Sequence, residues 1–186
     1  MPYNYKVIIE KIHSIIQKNK KAFVLFIKIG IFFKKNKNLK AFLTGELVCI
    51  DKVNDDVFSQ KMMGEGIAIK PTDDKIYAPC DGIIEIVFEK TEHAIGITMD
   101  NGVQLLIHCG LNTVNLEDRI CEAKVQKGDK VKAGQLLMTF DREKLKAGNY
   151  DDITMLVVLD QGNAKKITFV KDQDVVANKT EIAMIE

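Results

Sequence analysis

The sequence predicts an all-β protein, an antiparallel sandwich or barrel with a few short helices, preceded by a helical extension. From Ala41 onward, short runs of branched and aromatic residues recur at close spacing. Glycine, proline and acidic turns separate those runs. The 186 residues, 46% hydrophobic and 28% charged, suit one ordinary globular core with a short appendage.

Taken in order, the first 37 residues stand apart. Val7, Ile8, Ile12, Ile15 and Ile16 keep a helical spacing, and a further apolar run follows from Ala22 to Phe33. Lys28 interrupts that run, which is shorter than the roughly 20 residues a bilayer span needs. No small-residue cleavage site follows it, so a secretory signal is not expected. Residues 1–40 hold ten lysines against the single Glu10, formally +9, which leaves the rest at −8 for a total of +1. A lysine-rich amphipathic helix lying on an anionic membrane is one reading. A docked or loose extension is the other. The near-zero total charge argues against a general nucleic-acid binder.

Residues 38–186 form the expected domain. Strands are predicted over 47–50, 66–69, 76–78, 83–88, 95–99, 103–107, 135–140, 154–158 and 166–170. A short helix is predicted over 141–147, capped by Asp141 and stopped by Gly148. The stretch Gly128-Asp129-Lys130-Val131-Lys132-Ala133-Gly134 has the turn used where β layers fold over one another in barrel-sandwich hybrids, lipoyl and biotin carriers among them. The exposed lysine such carriers modify has no counterpart between Met62 and Met63, so only the fold class is supported.

Four cysteines, Cys49, Cys80, Cys109 and Cys121, lack both zinc-site spacing and disulfide density. They fit a reducing cytoplasm and small core positions. Cys109 adjoins His108, but neighbours in a strand face opposite ways, which argues against a shared active site.

The chemistry concentrates at the end of the 103–107 strand, where His108 is followed by Cys109 and Gly110. A rigid strand holds such a ring in place. Gly110 lets the backbone pass close by, so that a carbonyl can take the proton of one imidazole nitrogen and leave the other nucleophilic. A second histidine, His93, precedes the neighbouring strand across the Asp100-Asn101-Gly102 turn. Antiparallel pairing about that turn would set Ile97 roughly opposite Leu106 and bring both histidines to one end of the hairpin. His13 lies in the extension. Paired imidazoles can share a metal, form a base–nucleophile pair, act on a phosphoryl group, or simply pack in the core. A metal site would want a third ligand, and no His-x-His pair is present.

Several stretches resemble the glucose-family enzyme IIA domain of the bacterial phosphoenolpyruvate-dependent sugar phosphotransferase system. They are Gly45–Val48, the run from Val57 to Pro71, Ala78-Pro79-Cys80-Asp81-Gly82, Thr91-Glu92-His93-Ala94-Ile95-Gly96, the run from His108 to Leu116, and Val125-Gln126-Lys127-Gly128. They fall in family order and are spread from Gly45 to Gly128.

The resemblance implies that His108 accepts a phosphoryl group from the phosphocarrier protein HPr and passes it to a cysteine of the enzyme IIB domain of a sugar permease. It also implies that His93 steadies the phosphoryl oxygens and that Thr91 supports the hydrogen bonding. Neither cofactor nor metal is implied. Asp55, Val57, Phe58 and Asn112 match the partner-docking face, ordinary core being the lesser reading of Val57 and Phe58. The family pattern has Phe where Cys109 stands and Asp where Asn112 stands, and it differs at Asp118-Arg119-Ile120-Cys121. These departures keep open an alternative: a regulatory module of the same fold that binds transporters or metabolic enzymes without transferring phosphate. A cytoplasmic location is expected, acting in trans on a permease, with membrane contact through residues 1–37 as an open reading.

Overall fold

A computed structural model describes residues 38–115 and 120–186. The helix expected in the extension and the Asp118-Arg119 departure lie outside them. The strands run β1 (Leu39–Lys40), β2 (Gly45–Cys49), β3 (Gly66–Pro71), β4 (Lys75–Tyr77), β5 (Gly82–Val87), β6 (Ala94–Thr98) and β7 (Gln104–Cys109). They continue with β8 (Cys121–Ala123), β9 (Lys130–Val131), β10 (Leu136–Phe140), β11 (Thr154–Asp160), β12 (Ile167–Phe169), β13 (Gln173–Val175) and β14 (Glu181–Ile185). Two short helices, α1 (Asp56–Ser59) and α2 (Arg142–Ala147), complete the regular elements used below.

Every strand pairing is antiparallel. An eight-stranded sheet has the order β13-β2-β3-β11-β7-β6-β5-β9, and two three-stranded sheets have the orders β1-β14-β12 and β4-β10-β8. The fold is therefore the predicted antiparallel β class with few helices.

Strands β6, β7 and β11 are buried at almost every position. Their continuous apolar runs reflect cover on both faces, since a one-sided sheet would alternate with polar residues. The two faces still differ. Leu105, Ile107 and Cys109 of β7, Ile95 and Ile97 of β6, and Leu156 and Val158 of β11 join one large apolar core. Leu106 and His108 point from β7 to the other face.

Asp141 caps α2 by accepting the Lys144 N–H at 2.9 Å, and Gly148 ends that helix. The hairpin register differs from expectation by one residue. Ile97 faces Leu105, Gly96 faces Leu106, and Ala94 faces His108. The reason lies in the turn. Met99 N–H bonds Val103 O at 2.9 Å, Gly102 N–H bonds Met99 O at 2.9 Å, and Gly102 is left-handed at φ 83°. That is a three-residue connection with glycine at its left-handed position, and its length sets the register.

Candidate functional site

His108 sits near the middle of the eight-stranded sheet, between Ala94 of β6 and Met155 of β11. Both flanking strands pair with β7, so the ladder fixes its Cα from two sides. The small Ala94 opposite leaves room for the ring. His108 is buried, with 8% exposure. Its Nδ1 lies 3.0 Å from the carbonyl oxygen of Gly110. A carbonyl only accepts, so Nδ1 carries the proton and Nε2 is left with a lone pair.

Gly110 can turn its carbonyl back toward the ring because it adopts φ 71°. A Cβ there would stand 2.6 Å from Thr113 Cγ2 and 3.1 Å from Asp151 O. Leu111 N–H bonds that same Asp151 carbonyl at 2.9 Å, which anchors the segment after the histidine.

His93 reaches the same place by another route. In a regular ladder the partner of His93 would be Cys109, and both side chains would enter the core. The strand begins only at Ala94, however, and the backbone of Glu92 is left-handed at φ 53°. Cys109 N–H still bonds His93 O at 2.8 Å. Freed from strand geometry, the His93 ring packs edge-on against His108, with centroids 4.7 Å apart and an interplanar angle of 75°. Thr91 Oγ1 is hydrogen-bonded to His93 Nδ1. Thr91 and His93 are both buried.

Two phenylalanines flank the pair. Phe58 meets His108 at 5.2 Å and 65°, and Phe88 meets His93 at 4.8 Å and 59°. Desolvation holds the two imidazoles neutral. Burial pulls His108 down to about 4, partly opposed by its bond to the Gly110 carbonyl. For His93, burial first and the neighbouring His108 second lower the value to about 2.

The structure thus brings His108, His93 and Thr91 together, with Phe58 against them. Asp55 has a local task as the cap of α1, its carboxylate accepting Val57 N–H at 2.9 Å and Phe58 N–H at 3.3 Å. Val57 is half-buried and Phe58 buried. Asn112 is exposed and left-handed at φ 59°, a conformation asparagine tolerates better than most residues. Cys109 faces the core beside Cys121, and burial pushes its thiol well up, which removes it as a nucleophile. Phe88 and Glu92 were not singled out in the sequence. Phe88 ends a predicted strand, and nothing in a lone Glu signals a left-handed backbone. Among the described residues no group of three or more His, Cys, Asp or Glu side chains is arranged to hold a metal ion.

Comparison with known proteins bears on this geometry. The model of a family described as "phosphoenolpyruvate-dependent sugar phosphotransferase system, EIIA 1" matches residues 37–164. A curated relative, the PTS system glucose-specific EIIA component of Oceanobacillus iheyensis, is 38% identical over 143 residues, covering 77% of this chain and 86% of the relative. The solved glucose permease IIA from Mycoplasma capricolum superposes with a TM-score of 0.74 at 32% identity, over 83% of this chain and 98% of that one.

Proposed function

This chain belongs to the EIIA 1 family of the phosphoenolpyruvate-dependent sugar phosphotransferase system, and on that premise we propose that His108 Nε2 is its phosphoryl-carrying atom. In the first step the bond between phosphorus and HPr breaks as the His108 Nε2–P bond forms. In the second that bond breaks as a thiolate of the enzyme IIB domain takes the phosphorus, and the imidazole returns neutral. The proton stays on Nδ1, donated to the Gly110 carbonyl, throughout, so neither step waits on a proton transfer at the nucleophile.

The observation that carries the reading is the pairing of Nδ1 on both rings, His108 with the Gly110 carbonyl and His93 with the Thr91 hydroxyl. With Thr91 as donor, His93 keeps its proton on Nε2, where it can bond an equatorial oxygen of the phosphoryl group. Phosphoryl transfer asks mainly for an aligned nucleophile and stabilised oxygens. One neutral N–H supplies modest stabilisation, which suits a carrier that must also release its cargo. Burial keeps both rings in the neutral form this scheme needs. Asp55, Val57, Phe58 and Asn112 are assigned to the rim that meets HPr and enzyme IIB. Because both relatives are named for glucose, a glucose-permease IIB domain is the first acceptor to test.

Incubation with phosphoenolpyruvate, enzyme I and HPr, followed by intact mass, tests the assignment. Wild type should gain one acid-labile phosphoryl group and His108→Ala none. His93→Gln should accept phosphate but pass it on poorly. A wild type that stays unmodified with a cognate HPr would replace the relay with the regulatory binding module. Residues 1–37 we assign to a separate basic segment that rests on anionic membrane. Liposome co-sedimentation of the full chain beside a chain starting at Asn38 checks this, and equal sedimentation would end it. No helix among the described residues is long and apolar enough to cross a membrane.

A further inference from the structure

We propose that Glu92 is a positioning residue for the phosphoryl relay, holding the Thr91–His93 pair in register by clamping its turn to the edge of β8. The inference rests on the relay reading for its kinetic part and on geometry for the rest.

The six residues 88–93 link β5 to β6 and are closed by two backbone bonds, Phe88 N–H to Ala94 O at 3.0 Å and Glu92 N–H to Phe88 O at 2.8 Å. The second bond closes a turn whose last residue is left-handed, here Glu92 at φ 53°, a conformation glycine and asparagine adopt far more readily than glutamate. A further contact from the Glu92 side chain supports it there. The Glu92 carboxylate accepts the N–H of Ala123 through Oε2 at 2.7 Å, a charge-assisted bond in a half-buried setting. Strand β8 pairs with β10 on one side only, so the Ala123 N–H lies on its outer edge.

This bond ties the loop of one sheet to the edge of another. The residue it anchors lies between the two groups whose contact orients the His93 ring, with Nδ1 toward Thr91. Were Glu92 to relax to an ordinary strand conformation, His93 would turn toward the core face it would occupy opposite Cys109. Its bond to Thr91 and its packing on His108 would then be lost together.

The test uses the full chain carrying Glu92→Ala or Glu92→Gln. Glutamine keeps an oxygen acceptor for Ala123 N–H; alanine does not. On unphosphorylated protein, imidazole ¹⁵N shifts should report a single His93 tautomer in wild type and in Glu92→Gln, and an averaged one in Glu92→Ala. Transfer from the phosphorylated chain to enzyme IIB should slow on the order of tenfold in Glu92→Ala, with the extent of His108 phosphorylation unchanged. An unaltered tautomer in Glu92→Ala, or a Glu92→Gln variant as impaired as Glu92→Ala, overturns the proposal. The tautomer measurement needs no phosphate donor, so a chain that accepted none would defeat the relay and leave this positioning role separately decided.

Discussion

His108 and His93 touch, yet the chain holds them by opposite means. His108 belongs to a strand paired on both sides, and the nearest bend, at Gly110, serves to return a carbonyl to its ring. His93 lies just outside its strand, in a loop whose backbone departs from regular geometry at Glu92. A nucleophile benefits from the stiffest support available, because misplacement by an ångström costs rate. In the proposed relay the group that bonds phosphoryl oxygens comes from the side, and a continuous ladder would have sent it to the other face. Sheet regularity places one ring; its interruption places the other.

Acid should separate the two most strongly. Each ring binds its proton less readily when folded, so the unfolded chain takes up protons that the native chain refuses. The stabilising contribution is present above the unfolded value near 6.5 and is lost as pH falls toward the folded value. For His108 the window runs from 6.5 down to about 4 and corresponds to about 3 kcal/mol. The loss at His93 continues on toward 2. Urea unfolding of wild type and His108→Asn between pH 7 and 4 measures this. The variant should lose about 3 kcal/mol less over that range, and parallel curves would show that His108 is not held neutral by burial.

Next in size is Gly110→Ala, which strains a left-handed backbone and drives a methyl against Thr113 Cγ2. It should cost about 2 kcal/mol and disturb the ¹⁵N signature of His108 while sparing that of His93. The smallest effect is expected from Thr91→Val, which leaves buried His93 Nδ1 without its partner at about 1 kcal/mol. Its signature is the reverse, a changed His93 with His108 untouched. Equal disturbance of both rings by either variant would erase the contrast.

Much of the frame was legible from sequence because buried antiparallel strands are written as short apolar runs between turn residues. Each predicted strand from 47–50 to 166–170 is present, within a residue or two at its ends for most. The additional strands escaped for local reasons. β1 and β9 span two residues each, β8 and β13 only three each, and the five residues of β14 suit a helix segment as well as a strand. Helix α1, four residues long, is too short for any periodicity, although Asp55 carries the signature of its cap.

The residue types needed for the chemistry are likewise a sequence property. A histidine at the end of an apolar run just before glycine, and a Thr-x-His ahead of the preceding strand, name the groups without any coordinates. Their meeting depended on one local turn and on one contact distant in sequence. The three-residue turn at 100–102 chose the register, and the Ala123 N–H, 31 residues from Glu92, supports the bend before His93. Local pattern determines which side chains a strand can present, because pleating alternates them strictly. Tertiary packing supplies the partners that make a break in that alternation stable, since a local turn alone favours a left-handed glycine or asparagine over a left-handed glutamate.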